Sequence, residues 1–212
     1  MSGIAGLKSG IRNEVKAALK TISAEELDAR SSTIFRRLLG LPSFSTSNVI
    51  CCYLSMPSGE VKTAPIITEC LQSEKRLFVP KVTGKSSADL RMFEVESDAQ
   101  LLGFPKSSWG IPEPPNDVVM ASPDGADLGI IDFIIVPGVA FDTRLNRLGH
   151  GKGYYDCFLA RLLAKNIAIN GPKPTLVGIC FDEQVVSSVP HEAHDIPLDF
   201  LVTPSKIYQR EV

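Results

Sequence analysis

Apolar residues recur at helical spacing from the start of the chain: Ile4, Leu7, Ile11, Val15, Ala18 and Leu19 predict a helix over residues 4–20. Ser23 followed by Glu26 reads as a capping box that opens a second helix ending near Gly40. The pattern then changes to short apolar runs separated by helical stretches. It predicts strands at 48–54 and 76–79 with a helix at 63–73, then a strand at 132–136, a helix at 153–165, and strands at 175–181 and 198–202. Such alternation implies an α/β fold with a mainly parallel central sheet and helices on both faces, a design that places ligands beyond the carboxyl ends of the strands. Polar groups stand at those ends: Ser55 to Glu60, Lys81, Asp142 to Asp156, and Asp182. Residues 83–128 are the least regular. "TGKSSADLRMFEVES" suits a short hairpin, and "SSWGIPEPPNDVV" reads as largely extended because its prolines exclude helix; the region suits a flap over the site.

At 212 residues, with 44% hydrophobic and 22% charged positions, the chain reads as one domain spanning residues 1–212. A formal charge of −2, without a basic run interleaved with aromatics, argues against nucleic acid as a partner. No apolar stretch approaches the ~20 residues of a membrane span, and the first residues lack a secretory core. The expectation is a cytoplasmic monomer that does not engage membranes. Lys8 and Arg12 precede the first acid, Glu14, so a mitochondrial targeting helix is the minor reading. Cys51, Cys52, Cys70, Cys157 and Cys180 form no Cys-Xaa-Xaa-Cys pair and read as reduced core residues. On a strand, Cys51 and Cys52 point to opposite faces.

The most informative stretch is "FIIVPGVAFDTRLNRLGHGKGYYD", Phe133 to Asp156. An unbroken apolar run closed by Pro137-Gly138 suits a central strand covered on both faces. Beyond it Gly149, Gly151 and Gly153 alternate, freeing backbone N–H groups to converge, while Arg147, His150 and Lys152 bring donors to the same place. The helix starting near Gly153 adds its unpaired amides, so a phosphate fits there. Asp156, in that helix's first turn, would be repelled by phosphates unless a divalent cation intervened, which predicts Mg²⁺ with a nucleotide or polyphosphate. The run is neither a P-loop nor a dinucleotide fingerprint. The plainer alternative is a glycine-rich turn with its charges in water.

This stretch closely resembles the signature of the 5-formyltetrahydrofolate cyclo-ligase family, and further pieces match in the family's order. They are "LKSGIR" at Leu7 to Arg12, "YLSMPSGEVKT" at Tyr53 to Thr63, "KSSWGIPEP" at Lys106 to Pro114 and "VPHEAHD" at Val189 to Asp195. There are two departures: His150 occupies a variable family position, and the Ser58-Gly59 turn carries one residue more than the pattern before Glu60. The resemblance implies a three-layer α/β sandwich that converts 5-formyltetrahydrofolate to 5,10-methenyltetrahydrofolate, with ATP as co-substrate and Mg²⁺ as cofactor. It also implies that ATP is contacted by Lys8, Arg12 and the run Arg147, Leu148, Gly149, His150, Gly151, Lys152, Gly153, Tyr154 and Tyr155. Lys152 and Tyr154 are then the catalytic candidates, and Asp156 and Asp195 the Mg²⁺ ligands. Glu60 would grip the adjacent N–H donors of the pterin, within walls made by Leu54, Met56, Trp109, His150 and Tyr154.

Apart from the resemblance, Lys8 and Arg12 read as solvated cations one turn apart, Glu60 as a surface acid after a turn, and Asp195 as a loop-capping aspartate. His191, Glu192, His194 and Asp195 invite a zinc reading, but the flanking prolines bound a short extended segment without the helical His-Glu-Xaa-Xaa-His geometry. Two rival functions remain. A sugar-phosphate isomerase or small kinase on a similar sheet would not need Glu60 and Trp109, and a non-catalytic nucleotide-binding module would not need the two aspartates.

Overall fold

The computed structural model describes residues 3–108, 110–192 and 195–211. Helices α1 (Ile4–Leu19) and α2 (Ala24–Leu39) form where the apolar spacing places them. Ser23 caps α2 by accepting the Glu26 amide at 3.2 Å, but the Glu26 carboxylate turns to Arg30 at 2.5 Å. Half of the expected capping box is therefore present, because an i,i+4 charge pair takes the side chain that would close it.

After a short α3 (Pro42–Thr46) the chain lays down β1 (Val49–Cys52), α4 (Ala64–Gln72), β2 (Arg76–Val82) and β3 (Leu90–Val95). Three short helices follow, α5 (Asp98–Leu102), α6 (Asn116–Ala121) and α7 (Gly125–Leu128). Then come β4 (Phe133–Val136), β5 (Ala140–Asp142), β6 (Arg147–Leu148), α8 (Tyr154–Ala168), β7 (Thr175–Ile179), β8 (Val185–Val186), β9 (Phe200–Val202) and β10 (Ile207–Gln209). Among the described residues seven strands make the main sheet in the order β10-β9-β7-β4-β1-β2-β3. From β9 to β2 all neighbours are parallel, and each edge strand is antiparallel to its neighbour. The fold is the expected α/β sandwich with a mainly parallel sheet.

Every residue of β4 is fully buried, as a strand with helices on both faces requires. On one face Ile34, Leu38, Phe44, Ile66 and Ile67 from α2, α3 and α4 pack against the sheet; on the other, Ala126, Phe158, Leu159 and Leu162 from α7 and α8 do so. Cys52 joins the first layer and Cys51 the second, the alternation expected of consecutive strand residues. All five cysteines are free and four are buried; Cys157 is the exception, exposed on α8 with its thiol 3.2 Å from Ser87 Oγ. Phe133 meets Phe44 edge-on at 5.4 Å, and truncating so enclosed a ring costs about 3–5 kcal/mol.

Residues 83–128 depart most from expectation. β3 forms its hairpin with the preceding β2, not within its own segment, and β2 continues through Pro80 to Val82. Proline is accommodated because β1 pairs with β2 only as far as Phe78, so the ladder on that side has already ended. With Leu90, Met92, Phe93 and Val95 buried, β3 is part of the sheet and not a flap. Pro115 stands at the N-cap of α6, so a helix starts directly after prolines that exclude one before it. A small sheet, β6-β5-β8, and the edge strand β10 have no counterpart in the apolar pattern, since two or three residues leave no readable period. Among the described residues no helix is long and apolar enough to cross a membrane.

Candidate active site

A cleft of about 660 Å³ opens beyond the carboxyl ends of β1, β2 and β4, walled by α1, the loop after β1, the β6–α8 loop and residues near Asp195. Lys8, Arg12, Leu54, Met56, Glu60, the whole run from Arg147 to Tyr155, Asp156 and Asp195 all line it. Stretches distant in sequence thus meet in one place. Trp109 and His194 lie outside the described residues. Two groups expected at the strand ends do not line the cleft. Lys81 pairs with Glu113, which does line it, and Asp182 accepts a hydrogen bond from Ser205 Oγ at 2.7 Å.

The β6–α8 loop owes its shape to its glycines. Gly151 and Gly153 sit at φ +88° and +71°, in the left-handed region closed to most side chains. A Cβ at Gly151 would also come within 3.1 Å of Arg12 Nη2. Arg12 Nε donates to Gly149 O at 2.8 Å, so α1 braces the loop. Lys8 and Arg12 are therefore not merely solvated, for Lys8 in turn stands 3.5 Å from Glu192. Desolvation at the cleft wall, and then the Arg12 charge, hold the His150 imidazole below its ordinary pKa, so it is neutral at pH 7. Lys152 is exposed on the same loop.

Arg147 is largely enclosed; it donates to Pro137 O at 3.3 Å and forms a close ion pair with Asp156. Arg147 therefore balances Asp156, and a divalent cation is not the only group that can. The donor set nonetheless fits Mg²⁺. Asp156 and Asp195 share the cleft, and among the described residues no group of three or more His, Cys, Asp or Glu could hold a metal. Mg²⁺ characteristically takes one or two carboxylates and completes its shell with phosphates and water. Asp195 also shows the loop-capping role open to it: its Oδ2 accepts the Glu192 amide at 2.8 Å. His191 contacts Val189 O at 3.3 Å through its ring.

Tyr154 and Tyr155 divide their roles. The Tyr154 hydroxyl donates to Gly84 O at 3.2 Å, tying the loop to the β2–β3 hairpin. Tyr154 also lines the cleft. Tyr155 packs edge-on to Phe158 at 6.0 Å, with its hydroxyl enclosed and unpaired; burial raises its pKa well above the ordinary value.

The opposite wall follows β1. That strand ends at Cys52, and Tyr53 and Leu54 just beyond it both line the cleft. Ser55 and Thr63 exchange two hydrogen bonds, Ser55 N to Thr63 Oγ1 at 3.0 Å and Thr63 N to Ser55 Oγ at 3.3 Å, closing the loop between them. Inside it, the Met56 amide donates to Glu60 Oε2 at 2.8 Å. Burial raises the Glu60 pKa; the Met56 hydrogen bond and the Lys62 charge act in the opposite direction. Gly59 turns the chain at φ +79°, and Glu60 lines the cleft. Pro80, Val82, Leu90 and Ile111 supply wall that the sequence does not single out; they come from the irregular segment and from a strand longer than its apolar run.

The sequence model of the 5-formyltetrahydrofolate cyclo-ligase family matches residues 5–204. A Schizosaccharomyces pombe protein named as a probable 5-formyltetrahydrofolate cyclo-ligase is 35% identical over 206 residues, covering 94% of this chain and 96% of its own. The Saccharomyces cerevisiae 5-formyltetrahydrofolate cyclo-ligase is 33% identical, covering 92% of this chain and 94% of its own. Among solved structures, the Aquifex aeolicus 5,10-methenyltetrahydrofolate synthetase superposes with a TM-score of 0.73 at 34% identity, covering 97% of this chain and 94% of its own.

Proposed function

Since this chain belongs to the 5-formyltetrahydrofolate cyclo-ligase family and is an enzyme, we propose that its cleft closes 5-formyltetrahydrofolate to 5,10-methenyltetrahydrofolate using ATP. The observation that carries this reading is the meeting of a cationic glycine loop and a half-buried carboxylate, Glu60, in one cleft. The loop suits a triphosphate. Glu60, with Oε2 held by the Met56 amide, suits the paired N–H donors of a pterin.

The chemistry follows from the substrate. A formyl oxygen is a poor leaving group until it is phosphorylated. The γ-phosphoryl group of ATP passes to that oxygen and ADP departs; N10 of the same folate then attacks the formyl carbon. As the N10–C bond forms, N10 gives up its proton, and the C–O bond breaks with its electron pair leaving on phosphate. Holding N10 beside the activated carbon makes the second step intramolecular. Lys152 is the residue we assign to charge on the transferring phosphoryl group, with Lys8, Arg12 and Arg147 at the remaining phosphates. Asp156 and Asp195 would hold Mg²⁺, which when bound offsets charge on the β- and γ-phosphates. Arg147, here paired with Asp156, is free to turn to phosphate once that carboxylate has a cation. Leu54, Met56 and Tyr154 wall the folate, and Trp109 joins them by the family pattern. The enzyme is read as a cytoplasmic monomer of one domain acting on two small molecules; its −2 charge offers no attraction to nucleic acid.

Incubating the purified protein with ATP, Mg²⁺ and 5-formyltetrahydrofolate tests the reading, with methenyl product followed by absorbance and ADP by a coupled assay. Equal amounts of both are expected. A sugar-phosphate enzyme would form neither, and a binding module would retain ATP without turnover.

A further inference from the structure

Among the described residues two aspartates are almost wholly enclosed, Asp124 at 5% exposure and Asp142 at 0%. Asp124 is matched by Arg161 at 2.7 Å and receives the Met92 and Ala126 amides, locking α7 and α8 to β3 in the body of the fold. Asp142 is different. Its oxygens accept mainly from backbone amides: Arg144 N and Asn146 N at 3.0 Å in its own turn, and Val189 N at 2.9 Å across the chain. Asn146 Nδ2 reaches both oxygens, at 3.2 and 3.0 Å. Arg144 reinforces the link from outside by donating to Ser188 Oγ at 2.8 Å.

These bonds join two parts of the cleft. The turn after Asp142 runs directly into Arg147 and the glycine loop. Val189 opens the segment that carries Asp195, and Leu198 N closes that segment by donating to Leu145 O at 3.0 Å. Both ends of the Asp195 segment are thus pinned to one turn. Within it Leu145 holds φ +68°, a conformation uncommon for a leucine and retained only where the surroundings fix it.

Resting on the functional reading above, we propose that Asp142 is a positioning residue: its buried carboxylate holds the Asp195 segment against the anion loop, so that Asp195 and Asp156 keep the spacing a nucleotide-bound cation needs. Asp142 touches no ligand itself. The folate wall, built from the loop after β1, does not depend on it.

Asp142→Asn separates this role from a general structural one. With its carbonyl kept on the turn, where three hydrogen bonds reach Oδ1, the new amide faces the Val189 N–H, donor against donor. The backbone bonds of the turn survive, the Val189 tie to the Asp195 segment is lost together with the Asn146 Nδ2 bond to Oδ2, and the Leu198 and Ser188 links remain. Binding of Mn²⁺ in the presence of a non-hydrolysable ATP analogue, read by electron paramagnetic resonance, should weaken about 10- to 100-fold, while 5-formyltetrahydrofolate affinity stays within about twofold. If the wild-type protein binds no Mn²⁺, the functional reading itself fails. If the wild type binds Mn²⁺ and the variant binds it equally well, or if both ligands weaken in parallel, the positioning role is overturned. Should Asp142→Asn not give a cooperative thermal melt, Arg144→Ala decides the matter. The Arg144 side chain is 63% exposed, and its removal cuts the Ser188 link and a 3.8 Å pairing with Asp142 while leaving the buried carboxylate in place. A smaller but equally selective loss of Mn²⁺ affinity is expected there, and an unchanged affinity would overturn the role.

Discussion

The two walls of the cleft are held in opposite ways. On the nucleotide wall the candidate ligand-binding groups are themselves tied up: Arg147 pairs with Asp156, Arg12 with Gly149 O of the loop, and Lys8 with Glu192. On the folate wall the holding is done by side chains with no assigned part in binding and by the backbone of Met56. Ser55 and Thr63 close the loop, and a backbone amide fixes Glu60. On the proposed reading the first wall exchanges partners as a triphosphate and cation bind, whereas the second is preset. Charged groups that neutralise one another keep a phosphate site folded without ligand, and that arrangement couples the two ligands that replace them.

Three substitutions probe this contrast. Lys152→Ala should have the largest effect, lowering turnover about a hundredfold or more while leaving folate affinity intact, as loss of a group acting on transition-state charge would. Unchanged turnover would remove Lys152 from the mechanism. Glu60→Gln should raise the folate KM about 10- to 100-fold, the range for losing a charge-assisted hydrogen bond, with the ATP KM unmoved. A parallel rise in both constants would mean that the walls are not independent. Asp156→Asn should raise the Mg²⁺ concentration giving half-maximal rate about tenfold, equivalent to about 1.4 kcal/mol, and an unaltered titration would make that acid structural.

The smallest effect is on pH dependence, and its sign differs for two carboxylates. Burial raises the Glu60 pKa, so its contribution to stability is present below the ordinary carboxylate range and is lost as pH rises through the folded-state value. Folate affinity, which needs the ionised form, should decline as pH falls through that same value. For Asp142 burial also opposes the charged form, but hydrogen bonds from Val189, Asn146 and Arg144 outweigh it and the pKa is lowered. Its contribution is present above the ordinary range and lost as pH falls through the depressed value. Folate titrations across pH on wild type and Glu60→Gln check the first expectation, since the variant should show no such decline. Thermal melts of wild type and Asp142→Asn across acidic pH check the second, since the variant should lose that dependence.

The sheet and the backbone of the glycine loop are legible in the sequence because each rests on local chemistry. β4 announces itself by an unbroken apolar run, and Gly151 and Gly153 mark backbone that only glycine adopts readily. What escapes depends on tertiary context. Pro80 reads as a strand terminator until β1 is seen to end beside it. The Arg147–Asp156 pair joins residues nine apart across a loop, so their mutual neutralisation cannot be read from spacing, and Asp156 alone argues for a metal more strongly than the folded site does. The Tyr154 hydroxyl is claimed by Gly84, a partner 70 residues away. Asp142 passes as one more polar residue at a strand end, although its position after the apolar residues of "GVAFD" signals that a buried carboxylate there would need several donors.

If phosphate passes to the formyl oxygen inside this cleft, a heavy-oxygen label on that oxygen follows it. With 5-formyltetrahydrofolate carrying the label on its formyl group, one turnover with ATP and Mg²⁺ should place that oxygen in inorganic phosphate, in step with methenyl formation. Label released as water, with unlabelled phosphate, would rule out that transfer.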